Sequence, residues 1–178
     1  MINGNKEKKS AVIRPASFGP VPDLETHVRP DWWNNIFNSL YLKTDGDVVE
    51  DAKITTSEVD YFISLLNPSL DDKILDLCCG QGRHSIELTR RGFKKIEGVD
   101  RSHYLIQRAR STAKKEDLQI KFKEGDARKL MGYHTDDFEI VMILGNSFGY
   151  FETKEDDLRV LKEVSRVLSP NGRILLDV

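Results

Sequence analysis

Short apolar runs alternating with amphipathic helical stretches predict an α/β fold, a parallel five-strand sheet with helices on both faces. Two further observations support it. The first apolar run empties into a glycine turn, ILDLCCGQG at 74–82. The second, IEGVD, ends on a lone acid, Asp100. A strand that delivers the chain to glycines and then to a helix lets backbone approach a ligand closely. The helix start offers free N–H groups to an anionic group. An acid closing the next strand can accept two ribose hydroxyls, so the pair predicts a nucleotide-type pocket. Asp100 can also serve as a cap for the helix that follows near Ser102.

Along the chain, residues 1–30 read as a disordered tail, broken by Pro15, Pro20, Pro22 and Pro30 and poor in apolar surface. Residues 31–70 form an N-terminal helical cap. In it, Trp32, Trp33, Ile36, Phe37, Leu40 and Tyr41 recur at helical spacing over 31–42. That segment reads as a helix packed on the core, or as an aromatic lid over a pocket. The polar stretch TDGDVVEDA reads as loop or short turn. Thr55 and Glu58 form a capping box before Val59, Phe62, Ile63 and Leu66. Asn67-Pro68 ends that helix.

Residues 71–178 form the sheet core. Strands are expected at 73–78, 95–100, 119–123, 138–144 and 173–178, and helices at 83–91, 102–115 and 154–168. The link 124–137 carries only a weak pattern for a short crossover helix. Leu158, Leu161, Val164 and Leu168 form the apolar stripe of the last helix. Pro170-Asn171-Gly172 turns it into the final strand.

Two further edge sites join Gly80 and Asp100. After the third strand comes GDAR, 125–128, at the same carboxyl edge. Asp126 can accept from an exocyclic amine and the Ala127 N–H can face a ring nitrogen, although Gly-Asp is also common turn chemistry. The apolar fourth strand ends in Gly145-Asn146-Ser147, followed by Tyr150 and Phe151 as a flat wall. Asn146 can orient a ligand or cap a turn. His84 and Arg83 open the first core helix, where a capping or packing role competes with carboxylate binding.

The bulk properties narrow the class. At 178 residues the chain suits one substantial core, and its 31% charged content is that of a soluble globular protein. A net charge of −2 gives no reason for an obligatory nucleic-acid partner. No apolar run reaches membrane-spanning length, and no signal core follows Lys6, Lys8 and Lys9, so a cytoplasmic location is expected. Cys78 and Cys79 suit a reducing compartment. The histidines lack metal-ligand spacing, so no metal is expected. A Gly-Lys-Ser/Thr phosphate loop and a nucleophile elbow are both missing from the sequence.

With these residues assembled, residues 31–178 resemble the class I, Rossmann-like S-adenosylmethionine-dependent methyltransferases. The family's acid-x-Gly-x-Gly-x-Gly loop, which touches the methionine part, corresponds to Asp76-Leu77-Cys78-Cys79-Gly80-Gln81-Gly82. Cys78 stands where the first glycine is usual. Asp100 matches the ribose acid, with Arg101 beside it, and Asp126 and Ala127 match the adenine pair. Gly145, Asn146 and Ser147 match the segment facing the methyl group. The resemblance implies S-adenosylmethionine as cofactor and a small-molecule acceptor, with Tyr41 and Tyr150 as candidate pocket hydroxyls. No Asn/Asp-Pro-Pro-Tyr element follows the fourth strand, which weakens a DNA-amine acceptor. The family's sheet continues into a C-terminal β-hairpin that this chain lacks. A truncated piece, a bare fifth-strand edge and self-association through it are therefore expected. The alternatives are a non-catalytic cofactor-binding fragment or partner subunit, and a nicotinamide dehydrogenase.

Overall fold

The computed structural model describes residues 32–177, so the expected tail lies outside it. Five parallel strands run in the order β3-β2-β1-β4-β5: β1 (Lys73–Leu77), β2 (Lys95–Asp100), β3 (Lys121–Glu124), β4 (Phe138–Ile143) and β5 (Leu168–Leu176). The order reverses direction between β1 and β4, so their carboxyl ends flank a crevice.

Alternation along the strands divides the core. Leu75, Leu77, Val141 and Ile143 face one side, under Val160, Val164 and Val167 of α7 (Lys154–Val167). Ile74, Ile96, Ile140 and Met142 face the other, against Val59, Phe62 and Leu66 of α4 (Ala52–Leu66) and Leu88 of α5 (Arg83–Arg90). On that second side, Ile106, Ala109 and Ala113 of α6 (His103–Lys115) pack on Phe122. Helices on both faces and the parallel sheet are as the alternation predicts.

Several local expectations fail, each for a visible reason. The aromatic segment is not one helix. It forms single turns, α1 (Trp33–Ile36) and α2 (Tyr41–Thr44), followed by α3 (Gly46–Val49) within the stretch read as loop or short turn. Asn38 interrupts the first pair: its Nδ2 donates to the Asn35 carbonyl at 2.6 Å and its Oδ1 accepts from Leu40 N at 2.7 Å. Such side-chain bonds compete with the helical ladder. The capping box at Thr55 and Glu58 does not form. Asp51 caps α4, its Oδ1 accepting from Lys53 N and Ile54 N, while Thr55 lies inside the helix. Asn67 ends α4, as expected, and the structure shows it in the left-handed conformation.

The 124–137 link holds no helix. It is tied to α7 instead. Leu130 N donates to Glu163 Oε2 at 2.7 Å, and Arg166 donates to the Tyr133 and Leu130 carbonyls. The α7 stripe is also shifted. Leu158 is 49% and Leu161 38% exposed, while Val160, Val164 and Val167 are buried. A pattern of leucines and valines at mixed spacing leaves two candidate faces, and the sheet selects the valines. Finally, β5 begins at Leu168, paired with Phe138, and the Pro170–Gly172 turn loops out before pairing resumes at Arg173.

Candidate active site

The glycine turn and the acid are physically joined. Gly80 N donates to Asp100 Oδ2 at 2.8 Å, and Ser102 N donates to Asp100 Oδ1 at 2.7 Å. Ser102 itself caps α6 through Leu105 N, so Asp100 is not that helix's cap. Burial raises the Asp100 carboxyl above its usual range, against the pull of the Ser102 and Gly80 amides. A carboxylate has about four acceptor positions, so ligand hydroxyls can still be received beside the two amides.

A cavity of about 580 Å³ opens at this edge. Cys78, Gly80, Asp100, Arg101, Asp126 and Ala127 line it, as do Ser147, Tyr150 and Phe151. A second cavity of about 370 Å³ adjoins it and is lined by Asp76, Glu58, Arg83, His84, Gly145, Asn146 and Asp177. Tyr41, Cys78, Gly80 and Ser147 line both. Nine of the ten sequence-expected site residues therefore border one cavity or the other, and Gly82 does not. A Cβ on Gly82 would meet the Phe122 ring at 2.6 Å and Ala109 at 3.1 Å, so this glycine serves the packing of α6 and β3 on the turn. A Cβ on Gly80 would meet only Leu105 Cδ1, at an ordinary contact distance of 3.9 Å.

Charge is distributed unequally. Asp76 is 1% exposed and accepts from the Ser85 hydroxyl at 2.7 Å. Burial raises its carboxyl, partly offset by His84 and Ser85. Glu58 pairs with Arg83 and with His84 Nε2, the latter at 3.0 Å. Chiefly through His84, and then Arg83, its carboxyl is held down to about 2. Asp126 is engaged by the Arg128 fork, with Nη2 at 2.7 Å and Nε at 3.0 Å, and Arg101 lies 4.0 Å away. Burial opposes its ionisation, but the Arg128 bonds prevail and hold the carboxyl below its usual range. Asp126 thus already carries an intramolecular cation. That partner stood in the GDAR run, but its role was not legible there.

The aromatic segment covers the cavity mouth. Trp33 packs edge-on to Phe151 with centroids 5.1 Å apart, and Arg101 lies over its ring at 4.3 Å. Phe37 packs on Tyr41 at 5.3 Å and on Tyr150 at 5.7 Å, and its carbonyl accepts from Ser102 Oγ at 2.5 Å. Helical spacing alone could not show that Phe37 and Ser102 meet. Tyr41 and Tyr150 hydroxyls are both raised, first by burial and then by Asp45. They suit hydrogen-bond donation better than general-base work.

A family model described as a methyltransferase domain matches residues 74–172. The putative methyltransferase YqeM of Bacillus subtilis is 34% identical over 73% of this chain and 52% of its own length. A glycine/sarcosine N-methyltransferase of Aphanothece halophytica is 32% identical over 83% of this chain and 55% of its own. This chain therefore spans about half the length of these relatives. In fold, it matches a putative S-adenosylmethionine-dependent methyltransferase structure from Methanococcus maripaludis with a TM-score of 0.67, at 17% identity, over 79% of this chain and 63% of that one. With its glycine turn, edge acids and crevice in the places described, the chain belongs to the class I S-adenosylmethionine-dependent methyltransferases.

Proposed function

We propose that this chain binds S-adenosylmethionine across the two cavities and transfers its methyl group to a small molecule. The observation that carries this reading is the Gly80–Asp100 hydrogen bond, which brings the glycine turn beside the acid suited to ribose. Asp126 and Ala127 stand at the adenine end. Asp76, Cys78, Gly145 and Asn146 stand toward the amino-acid end, where the second cavity offers both signs of charge. Arg101 stays on the ribose rim.

The chemistry asks little of acid–base groups. The sulfonium supplies an activated methyl, and the protein must hold an acceptor in line with it. Positive charge on sulfur is lost in transfer, so a dry pocket favours the reaction. The aromatic rings of Trp33, Phe37, Tyr150 and Phe151 supply that shield. A relative named for glycine and sarcosine supports a small acceptor. Obligatory nucleic acid and membrane have no part in this reading. Among the described residues, no helix is long and apolar enough to cross a membrane. The two free cysteines fit a cytoplasmic setting.

A second reading, a cofactor-binding module that is not itself active, is favoured by the chain spanning about half the length of the relatives it matches. Calorimetric titration with S-adenosylhomocysteine and with NAD, followed by a methyl-transfer screen over small amines, alcohols and thiols, tests both readings. Binding of the first ligand with turnover supports the enzyme. Binding without turnover supports the module. Preference for NAD defeats both.

A further inference from the structure

Cys78 stands at the one turn position where a side chain is least expected. Its backbone has φ +63°, in the left-handed region that favours glycine. The side chain nevertheless packs against the cluster of Leu77, Val99 and Ile143, and the residue remains half-buried. It also lines both cavities, together with Tyr41, Gly80 and Ser147. These four residues form the neck between the mainly apolar chamber at Asp100 and the polar chamber at Glu58, Arg83 and Asp177.

The ligand placement proposed above puts the reacting group in this neck. Ribose hydroxyls on Asp100 lie beside Gly80, because the Gly80 amide shares that carboxylate. The sulfur is one carbon beyond the sugar ring, so it falls between Gly80 and Cys78 as the ligand crosses from one chamber to the other. A glycine at 78 would remove a Cβ and a sulfur from a residue that lines both cavities. Burial and the neighbouring Asp100 and Asp76 hold the thiol well above its usual range. It therefore stays protonated and is a poor nucleophile toward the sulfonium.

We propose that Cys78 sizes the neck between the two cavities and so restricts the transferable group on sulfur to methyl. This rests on the cofactor placement under Proposed function, and the test separates the two. The full chain is titrated with S-adenosylmethionine and with its analogue bearing propargyl in place of methyl. The wild type is expected to prefer methyl by about tenfold or more, the discrimination a tight apolar contact gives. Cys78→Ala should reduce that preference by about fivefold or more, whereas Cys78→Ser, which keeps a group of similar reach, should retain most of it. Cys78→Gly, suited to the local backbone, gives a second enlarged neck if the alanine variant folds poorly. An unchanged preference in the folded alanine or glycine variant overturns the role of Cys78 while leaving cofactor binding intact. So does a wild type indifferent to the two groups. A wild type that binds neither sulfonium removes the cofactor placement, and the neck inference with it.

Discussion

Gly80 N and Asp100 Oδ2 are 2.8 Å apart, joining the turn after β1 to the end of β2 across the sheet edge. The same carboxylate receives Ser102 N at 2.7 Å, and Ser102 Oγ in turn reaches the Phe37 carbonyl. One acid therefore organises the glycine turn, the start of α6 and, through Ser102, the aromatic segment above the cavity.

Asp100→Ala should weaken S-adenosylhomocysteine binding by about 1–3 kcal/mol, from lost hydrogen bonds to a charged acceptor. The Gly80 turn should also exchange its amide proton faster in the free protein. Calorimetry and hydrogen exchange check the two parts. Unchanged affinity in a folded variant would remove Asp100 from the site.

The two glycines of the turn should separate by phenotype. Gly80→Val meets no close neighbour at its Cβ but a φ of +56°, so it should lose ligand binding more than it loses the fold. Gly82→Ala drives a methyl into the Phe122 ring and should destabilise the protein by about 1–3 kcal/mol through overpacking. Urea unfolding beside ligand titration distinguishes them. Equal stability losses in both variants would refute the division.

The aromatic cover should respond to ligand. Among the described residues, Trp33 Nε1 is buried without an acceptor, a group whose bonding a change at the cavity can alter. Residues 32–44 should gain protection, and Trp32 and Trp33 fluorescence should shift, on adding S-adenosylhomocysteine. Silence in both signals would reduce the segment to plain packing.

Glu58 should contribute stability that depends on pH. Its carboxyl is lowered from 4.5 to about 2 in the folded chain, so its contribution is complete above about 4.5 and is lost as pH falls toward 2. After allowance for solvent screening, it should amount to about 1–2 kcal/mol at neutral pH. Glu58→Gln should lower unfolding free energy at pH 7 and flatten the decline between pH 4.5 and 2. An acid profile identical to wild type would show the Arg83–His84 pairing to be energetically idle.

The β5 edge should drive self-association. Among the described residues β5 pairs on one side only, and its apolar Ile174 is 42% and Leu176 36% exposed. Sedimentation should show concentration-dependent oligomers that Ile174→Lys with Leu176→Lys suppresses. A wild type that stays monomeric across the concentration range would count against this edge as an interface.

The strand-turn-helix periods, the glycine turn and the acids at strand ends were legible because they are local. Strand residues alternate, helices repeat at 3.6, and an edge acid follows its own strand. Gly80, Asp100 and Asp126 could be named together because a parallel sheet puts every such end on one side. Asn38 breaking the aromatic segment, Asp51 displacing Thr55 as cap, and the choice of valines over leucines on α7 were less legible. Each is a contest between neighbouring groups that differ by about a kcal/mol, and packing decides it.

The sequence by itself determined the fold class, the family and the sheet edge on which the candidate site residues gather, because those depend on pattern and order. Only the tertiary structure decided which residues meet across long separations. Phe37 reaches Ser102, and Glu58 of α4 reaches Arg83 and His84 of α5. Spacing cannot encode such contacts, since they arise when helices from different parts of the chain settle on one sheet. The same holds for Cys78. Its left-handed backbone and its place between two cavities belong to the folded turn, where the physical consequence of replacing a glycine first becomes visible.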